Sequence, residues 1–136
     1  MKISKLHLKT PDEAETVFYQ AFTHCDADVM AGLWADQGVV CVHPGSGAII
    51  GYNAIIRSWA SIFSNVQRTE MKYTSINRVV SKKLTVSLIA EELLSSEKIE
   101  AVVLATNVYQ KFDSGWLMTG HHASLVQQHS RGQTLQ

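Results

Sequence analysis

The sequence is poor in cysteine and proline, has no excess of charge of either sign and contains no long apolar run. Its two cysteines, Cys25 and Cys41, lack a CxxC spacing, which favours reduced core thiols over a disulfide or a zinc site. Twelve basic and twelve acidic residues give a formal net charge of zero, so no long-range field attracts nucleic acid or an anionic membrane. No segment approaches the ~20 apolar residues of a membrane span, and the amino terminus lacks the apolar core of a signal peptide. We therefore expect a soluble, cytoplasmic protein with no metal site and with neither nucleic acid nor membrane as a partner.

The length and composition fit one compact domain. A chain of 136 residues with 46% hydrophobic and 18% charged residues can bury a sizeable core. Residues 1–126 carry helical or extended patterns and are predicted to form that single domain. The polar residues 127–136 lack a pattern and are predicted to form a tail that frays.

Three helices are predicted in the first half of the chain. Thr10 is suited to cap a helix that starts with Pro11, and Glu13 stands where it completes a capping box. A second, shorter helix follows Asp26 as its N-cap, and a third follows Gly51. Apolar residues recur at helical spacing in each segment, so each helix has one face suited to a core.

The rest of the chain is predicted to form strands. Residues 39–43 are a short strand that Pro44 ends, and residues 48–50 are expected to return beside it. The helical period disappears after residue 67, and an antiparallel meander is predicted from four extended runs: residues 67–80, 84–94, 99–112 and 116–126. This order of elements predicts an α+β fold with helices on one face of a sheet.

The long strands are apolar on both faces. Ala101, Val103 and Ala105 point to one side of the sheet, while Val102 and Leu104 point to the other. An antiparallel sheet with one solvated face alternates more cleanly than this. We therefore expect the second face to be covered by another copy of the chain, in a homodimer.

Polar residues in the middle of the last two strands indicate a pocket. Asn107, His121 and His122 must face water or find buried partners. Adjacent strand residues point to opposite faces, so only one of the two histidines can share a face with Asn107. A three-residue loop places Asn107 across from His121, whereas a four-residue loop places it on the face of His122. The same alternation separates Glu91 from Glu92; either could enter the pocket, but solvated positions are favoured for both.

Five sequence segments resemble the SnoaL-like branch of the nuclear transport factor 2-like superfamily. They span most of the domain and read Asp26-x-Asp28-x5-Trp34, His43-Pro-Gly-Ser-Gly-x3-Gly51, Ala54-Ile-x2-Ser-Trp59, Thr106-Asn107 and Gly115-Trp116-x4-His121-His-Ala-Ser124. The resemblance implies a curved antiparallel sheet wrapped on three N-terminal helices into a cone with a central pocket. It also implies a homodimer formed through the convex face of the sheet. Because such folds carry many activities and sometimes none, the resemblance does not choose among them.

Alignment with ketosteroid isomerase, one member of that superfamily, implies roles for three positions. His43 precedes a proline where that enzyme has its general-base aspartate, and Asn107 falls where it has the aspartic acid that donates to the oxyanion. The phenolic donor of the enzyme falls near Phe18 or Tyr19. A neutral imidazole with a pKa near ~6.5 can abstract a proton, and a carboxamide can donate to an enolate oxygen. The family pattern also favours the four-residue loop, so that His122 and Ser124 face the pocket and His121 faces the dimer partner.

The predicted site therefore has catalytic and ligand-contacting members. His43 is the proposed base, Asn107 the donor and His122 a second acid or base. Aromatic residues of the helices and small residues of the last strand are expected to contact the ligand, namely Phe18, Tyr19, Trp34, Tyr52, Trp59, Gly120 and Ser124. The ligand is expected to be partly apolar, with one carbonyl or carboxylate group.

Two functions of different class follow. The first is cofactor-free acid/base chemistry, such as isomerisation, cyclisation or dehydration of a small hydrophobic carbonyl compound. The second is a non-catalytic ligand-binding or oligomerisation module, like the association domain of calcium/calmodulin-dependent kinase. The absence of a carboxylate at the family's base position weakens the first reading, and the lack of a fused partner domain weakens the second.

Overall fold

The computed structural model describes residues 4–66 and 70–128, which form three helices and one sheet. The helices are α1 (Pro11–His24), α2 (Ala27–Leu33) and α3 (Tyr52–Asn65). The strands are β1 (Val40–Val42), β2 (Ile49–Ile50), β3 (Glu70–Val80), β4 (Leu84–Ser95), β5 (Lys98–Phe112) and β6 (Gly115–Gln128). The predicted α+β fold is confirmed. Strand β6 continues two residues past the predicted domain boundary at residue 126, and the rest of the predicted tail lies outside the described residues.

The helices begin where the capping residues predicted. Thr10 Oγ1 accepts a hydrogen bond from the backbone N–H of Glu13 at 3.0 Å, and Asp26 Oδ1 accepts one from Val29 at 3.1 Å. Helix α3 differs, because Gly51 precedes it with a φ of 97° and makes no side-chain cap. A β-carbon is poorly tolerated in that conformation, so glycine suits the position.

The sheet contains six strands in the order β2-β1-β6-β5-β4-β3. Strands β3 to β6 form the predicted antiparallel meander, and β1 and β2 form the predicted antiparallel pair. The sheet is nevertheless mixed, because β1 runs parallel to β6. Parallel neighbours require a long crossover connection, and here α3 and the meander supply it. The short β1 thereby places His43, which follows it, beside the middle of β6, because Val42 pairs with His122.

One face of the sheet, here called the inner face, packs against the helices. Its centre carries Ile89 on β4 and Ala105 on β5, both fully buried. From the helices, Phe18 of α1 and Trp59 of α3 meet edge to face with ring centroids 5.6 Å apart, and Trp34 after α2 is also fully buried. Aromatic side chains of this size contribute much of the apolar area that stabilises a small domain.

The β5–β6 hairpin has a register that differs from the predicted one. Phe112 pairs with Gly115 across a two-residue turn, and Lys111 pairs with Trp116, as the four-residue loop would require. A bulge then inserts Thr119, so that Val108 pairs with Gly120 and Asn107 pairs with His121. One extra residue moves all later side chains to the opposite face. His121 is therefore buried and His122 exposed, and the prediction that His122 faces inward was wrong.

Candidate functional site

A cavity of about 190 Å³ lies between the helices and the inner face of the sheet. Its apolar wall includes Phe22 of α1, Ile62 of α3, Leu93 of β4 and Val103 of β5. Four side chains with polar atoms also line it, namely His43, Trp59, Glu91 and His121. Few polar groups in a mostly apolar concave site are typical of small-molecule binding.

His43 lies at the end of β1 and is held by α3. Its Nε2 is 2.9 Å from Ser58 Oγ, and Cys41 Sγ lies 3.7 Å from the same nitrogen. The Ser58 hydroxyl donates its own hydrogen bond to the carbonyl oxygen of Ile55, at 2.6 Å. Nε2 therefore carries the imidazole hydrogen and donates it to Ser58, which leaves a lone pair on Nδ1. Burial lowers the pKa of His43, because the charged imidazolium would lose hydration.

His121 is oriented by a buried amide on the neighbouring strand. Its Nδ1 is 2.6 Å from Asn107 Oδ1. Asn107 Nδ2 donates to the Tyr19 hydroxyl at 3.0 Å, and Tyr109 lies close to the same amide. Both phenols give their hydrogens to carboxyl groups, Tyr19 to Glu91 and Tyr109 to Glu15, so they can only accept from the amide.

These contacts decide which atoms of the amide and the imidazole carry hydrogen. The Asn107 oxygen must face His121, and Nδ1 of His121 must be the nitrogen that donates. The distal Nε2 then carries a lone pair and makes no hydrogen bond within residues 4–66 and 70–128. Burial, aided by the nearby His43 and His122, lowers the pKa of His121 to about 3, so the ring is neutral at pH 7.

Glu91 is a buried carboxyl group on the same wall. Its side chain is 2% exposed, and its Oε2 accepts a hydrogen bond from Tyr19 at 2.7 Å. Burial raises the pKa of Glu91 to about 7, although the bond from Tyr19 favours the ionised form. The ring of Tyr19 stacks on Tyr73 of β3 at 4.1 Å, which fixes the phenol that holds the carboxyl. Glu91 can therefore exchange a proton near neutral pH.

Trp59 supplies a donor without a partner. Its indole packs edge to face on His43, with ring centroids 4.7 Å apart, and the residue is 1% exposed. Nε1 is buried and has no hydrogen-bond partner among the described residues. The unpaired N–H costs free energy, but it is not open to the cavity, so the indole contributes to the apolar wall.

A second polar cluster lies near α1 and does not line the cavity. Glu15 accepts a hydrogen bond from Tyr109 at 3.2 Å and lies 3.5 Å from Arg78 Nη2. Arg78 also pairs with Asp12 and donates to Ser87 Oγ at 3.0 Å. Burial raises the pKa of Glu15, and hydrogen bonds from Ser87 and Tyr109 oppose that shift. This cluster fixes Tyr109, which lies close to the Asn107 amide.

The sequence pattern of the SnoaL-like domain family matches residues 12–128. This chain belongs to the SnoaL-like domain family. The fold of the SnoaL-like chain is shared with a candidate calcium/calmodulin-dependent protein kinase type II association domain from Thiobacillus denitrificans. The two are 32% identical, with a TM-score of 0.85 over 90% of this chain and 100% of the other.

Two further proteins are similar to this chain. A candidate dehydratase of the NTF2-like family from Streptomyces avermitilis is 32% identical, with a TM-score of 0.75 over 86% of this chain and 99% of that one. The F-box protein SKIP8 of Arabidopsis thaliana is 26% identical over 113 residues, which are 82% of this chain and 47% of that protein. The SnoaL-like chain thus spans about half the length of this curated relative.

The SnoaL-like cavity contains only some of the residues predicted for it. His43 and Trp59 line it. Asn107 lies behind the wall and does not line the cavity, and its amide nitrogen donates to Tyr19, which argues against its predicted role as an oxyanion donor. His122 and Ser124 are exposed on the outer face of the sheet because of the bulge at Thr119.

The other predicted contact residues lie outside the cavity. Phe18 packs under Trp59, and Tyr19 reaches the site only through Glu91. Trp34 is buried in the core beside Met118, and the Tyr52 hydroxyl donates to Ala31 O at 2.6 Å. Gly120 belongs to a small hollow on the outer face.

Sequence reasoning missed two members of the site, Glu91 and His121. Glu91 alternates with Ser87 and Ile89 on the side of β4 that faces the helices, but its neighbours in the sequence do not distinguish it from a solvated strand carboxylate.

No helix among the described residues is long and apolar enough to cross a membrane. The described part of the chain likewise contains no group of three or more His, Cys, Asp or Glu side chains placed to hold a metal ion.

Proposed function

We propose that this SnoaL-like chain binds a small, mostly apolar carbonyl compound and performs cofactor-free acid/base chemistry on it, such as isomerisation, cyclisation or dehydration. One observation carries the proposal. A neutral imidazole with a free lone pair, on His43, and a carboxyl group with a pKa of about 7, on Glu91, line the same apolar cavity. Acid/base catalysis requires one group that accepts a proton and another that donates one at the same pH. The different environments of His43 and Glu91 provide both.

Each polar group then has one role. His43 Nδ1 takes a proton from the carbon next to the ligand carbonyl, while Ser58 holds the ring through Nε2. Protonated Glu91 returns a proton to another carbon or to a leaving hydroxyl group. The likeness to a candidate dehydratase supports chemistry of this kind.

The roles predict a bell-shaped dependence of rate on pH. Turnover should rise as the pH passes the pKa of His43, which burial lowers below its ordinary value, because the ring then loses its proton. Turnover should fall again near pH 7, where Glu91 ionises. The assay is the exchange of α-protons for deuterium in a panel of small cyclic ketones, followed by NMR, because it needs no knowledge of the product.

Two substitutions separate these roles. His43→Ala should reduce exchange by roughly 10²- to 10⁴-fold, the range for loss of a general base. The matched control is His122→Ala, which removes an exposed imidazole from the outer face and should leave exchange unchanged. If His43→Ala exchanges protons at the original rate, His43 is not the base.

A second function, a ligand-binding or assembly module, is favoured by the 32% identity with a candidate association domain over 90% of this chain. In that case no ketone should undergo exchange above the buffer rate. Native mass spectrometry should then show a discrete assembly that His43→Ala leaves intact. A protein that exchanges protons and forms no assembly contradicts this second reading.

A further inference from the structure

The hydrogen-bonding character of the cavity is fixed by side chains that lie behind it. Asn107 holds the hydrogen of His121 on Nδ1, and Ser58 holds that of His43 on Nε2. Both arrangements leave a lone pair on the other ring nitrogen, and neither of those nitrogens has a hydrogen-bond partner among the described residues. The two imidazoles can therefore accept hydrogen bonds from a ligand, and while neutral they cannot donate any.

The cavity is short of donors and of positive charge. Among the described residues that line it there is no lysine or arginine. The N–H of Trp59 is buried away from the cavity, and Glu91 supplies an O–H only while it is protonated. A carboxylate ligand would thus lose its hydration without meeting a positive charge, and it would lie beside a carboxyl group that ionises near neutral pH.

We infer that the cavity selects neutral hydroxylated ligands, whose O–H groups donate to the free nitrogens of His43 and His121, and that it rejects carboxylates. This deepens the proposed function, on which it rests, by narrowing the carbonyl compound to one that also carries a hydroxyl group. A volume of about 190 Å³ suits a ligand of one ring with a short substituent, since a cavity of roughly 150 Å³ accepts benzene.

The test uses unreactive probes of nearly equal size. Benzyl alcohol and anisole are isomers, but only the alcohol can donate a hydrogen bond, and benzoate adds a negative charge to the same ring. NMR titration at pH 8, where Glu91 is mostly ionised, should show benzyl alcohol binding roughly three- to tenfold more tightly than anisole, as expected for one hydrogen bond. Benzoate should not bind detectably. Equal binding of benzoate and benzyl alcohol, or no binding of the alcohol, overturns the inference.

Two variants assign the preference to the imidazoles. His121→Phe and His43→Phe should each reduce the preference for benzyl alcohol over anisole. His122→Phe, which changes the neighbouring exposed residue, should keep it. A preference that survives both of the first two changes overturns the inference.

A measurement on the unmodified protein covers the case in which those variants fail to fold. The imidazole ¹⁵N resonances should show that benzyl alcohol perturbs the unprotonated nitrogen of His43 or His121, whereas anisole leaves both unperturbed. Unchanged resonances on addition of benzyl alcohol overturn the inference. The probe titration and the proton-exchange assay can fail independently. A protein without exchange activity can still prefer benzyl alcohol, and an active protein can still bind benzoate.

Discussion

Glu91 and His121 share the inner face of the sheet, and burial shifts their pKa values in opposite directions. Burial disfavours charge on either group, so it raises the pKa of Glu91 to about 7 and lowers that of His121 to about 3. The neutral His121 stabilises the fold above pH 6.5, and this contribution is lost as the pH falls towards 3. The protonated Glu91 stabilises the fold below pH 4.5, and this contribution is lost as the pH rises through 7.

Glu91→Gln should therefore change how stability depends on pH. Glutamine keeps an oxygen for the Tyr19 hydroxyl but cannot ionise, so the variant should gain stability relative to the original chain between pH 4.5 and 7. The gain should total about 3 kcal/mol and then level off. Urea unfolding at half-unit pH intervals measures it. Glu92→Gln, on the opposite face of β4, controls for the loss of one carboxylate, and a difference that stays constant with pH would contradict the burial of Glu91.

At the residue scale, the sequence indicated that a polar site exists, but it identified only some of the residues in that site. An amide and two imidazoles in mid-strand indicate buried partners, and Asn107 does have two, Tyr19 and His121. The choice between His121 and His122 depends on strand register, which side-chain chemistry alone does not determine. Glu91 was undervalued because a carboxylate in a strand is usually solvated, and only the distant Tyr19 on α1 provides its buried partner.

The elements differ in how far local sequence determines them. Helices α1 and α2 depend on caps within three residues, Thr10 to Glu13 and Asp26 to Val29, so their starts were predictable. The β5–β6 hairpin depends on a turn and on a bulge at Thr119, several residues away from that turn. Next to the turn the predicted register is correct, and past the bulge it is shifted by one residue. A bulge has no comparable local signature, which is why the prediction failed there.

Gly115, the first residue of β6, allows the turn to lie against the segment before α1. Its φ is 129°, and an added β-carbon would lie 2.5 Å from the carbonyl oxygen of Leu8. The N–H of Trp116 donates to that same oxygen at 2.8 Å, so the backbone cannot move away without losing this bond. Gly115→Ala should therefore lower the free energy of unfolding by about 2 to 3 kcal/mol.

Urea denaturation provides the measurement, with Gly47→Ala as the matched control. A β-carbon at Gly47 would meet nothing within 4 Å, and its backbone does not require glycine. That change should stay within about 0.5 kcal/mol of the original stability. Equal stabilities for the two variants would contradict the close approach of Gly115 to Leu8.

At the scale of the whole molecule, the outer face of the sheet is too apolar for a solvated surface. Val102 and Leu104 of β5 and Leu88 of β4 are only half-buried on it. Beside them, β1, β5 and β6 enclose a hollow of about 110 Å³ with an apolar lining that includes Val40 and Val108. The helices cover the inner face alone, so within the described residues nothing covers this one.

We propose that two copies of the chain pack through this outer face, and Leu104 tests the idea. Leu104 lies between Ala90 and Ser124, near the middle of the face. A glutamate there would bury a charge at a self-complementary contact, so Leu104→Glu should turn a dimer at micromolar concentration into a monomer. Sedimentation equilibrium gives the mass, and circular dichroism shows whether the fold persists. Val80→Glu, on the edge strand β3, adds the same charge on the opposite side of the sheet, since Val80 pairs with the inward-facing Thr85; the position is 62% exposed and the change should leave the dimer intact. If the original chain sediments as a monomer, the proposed dimer does not form. If the Leu104→Glu variant remains dimeric, the contact between the copies lies elsewhere.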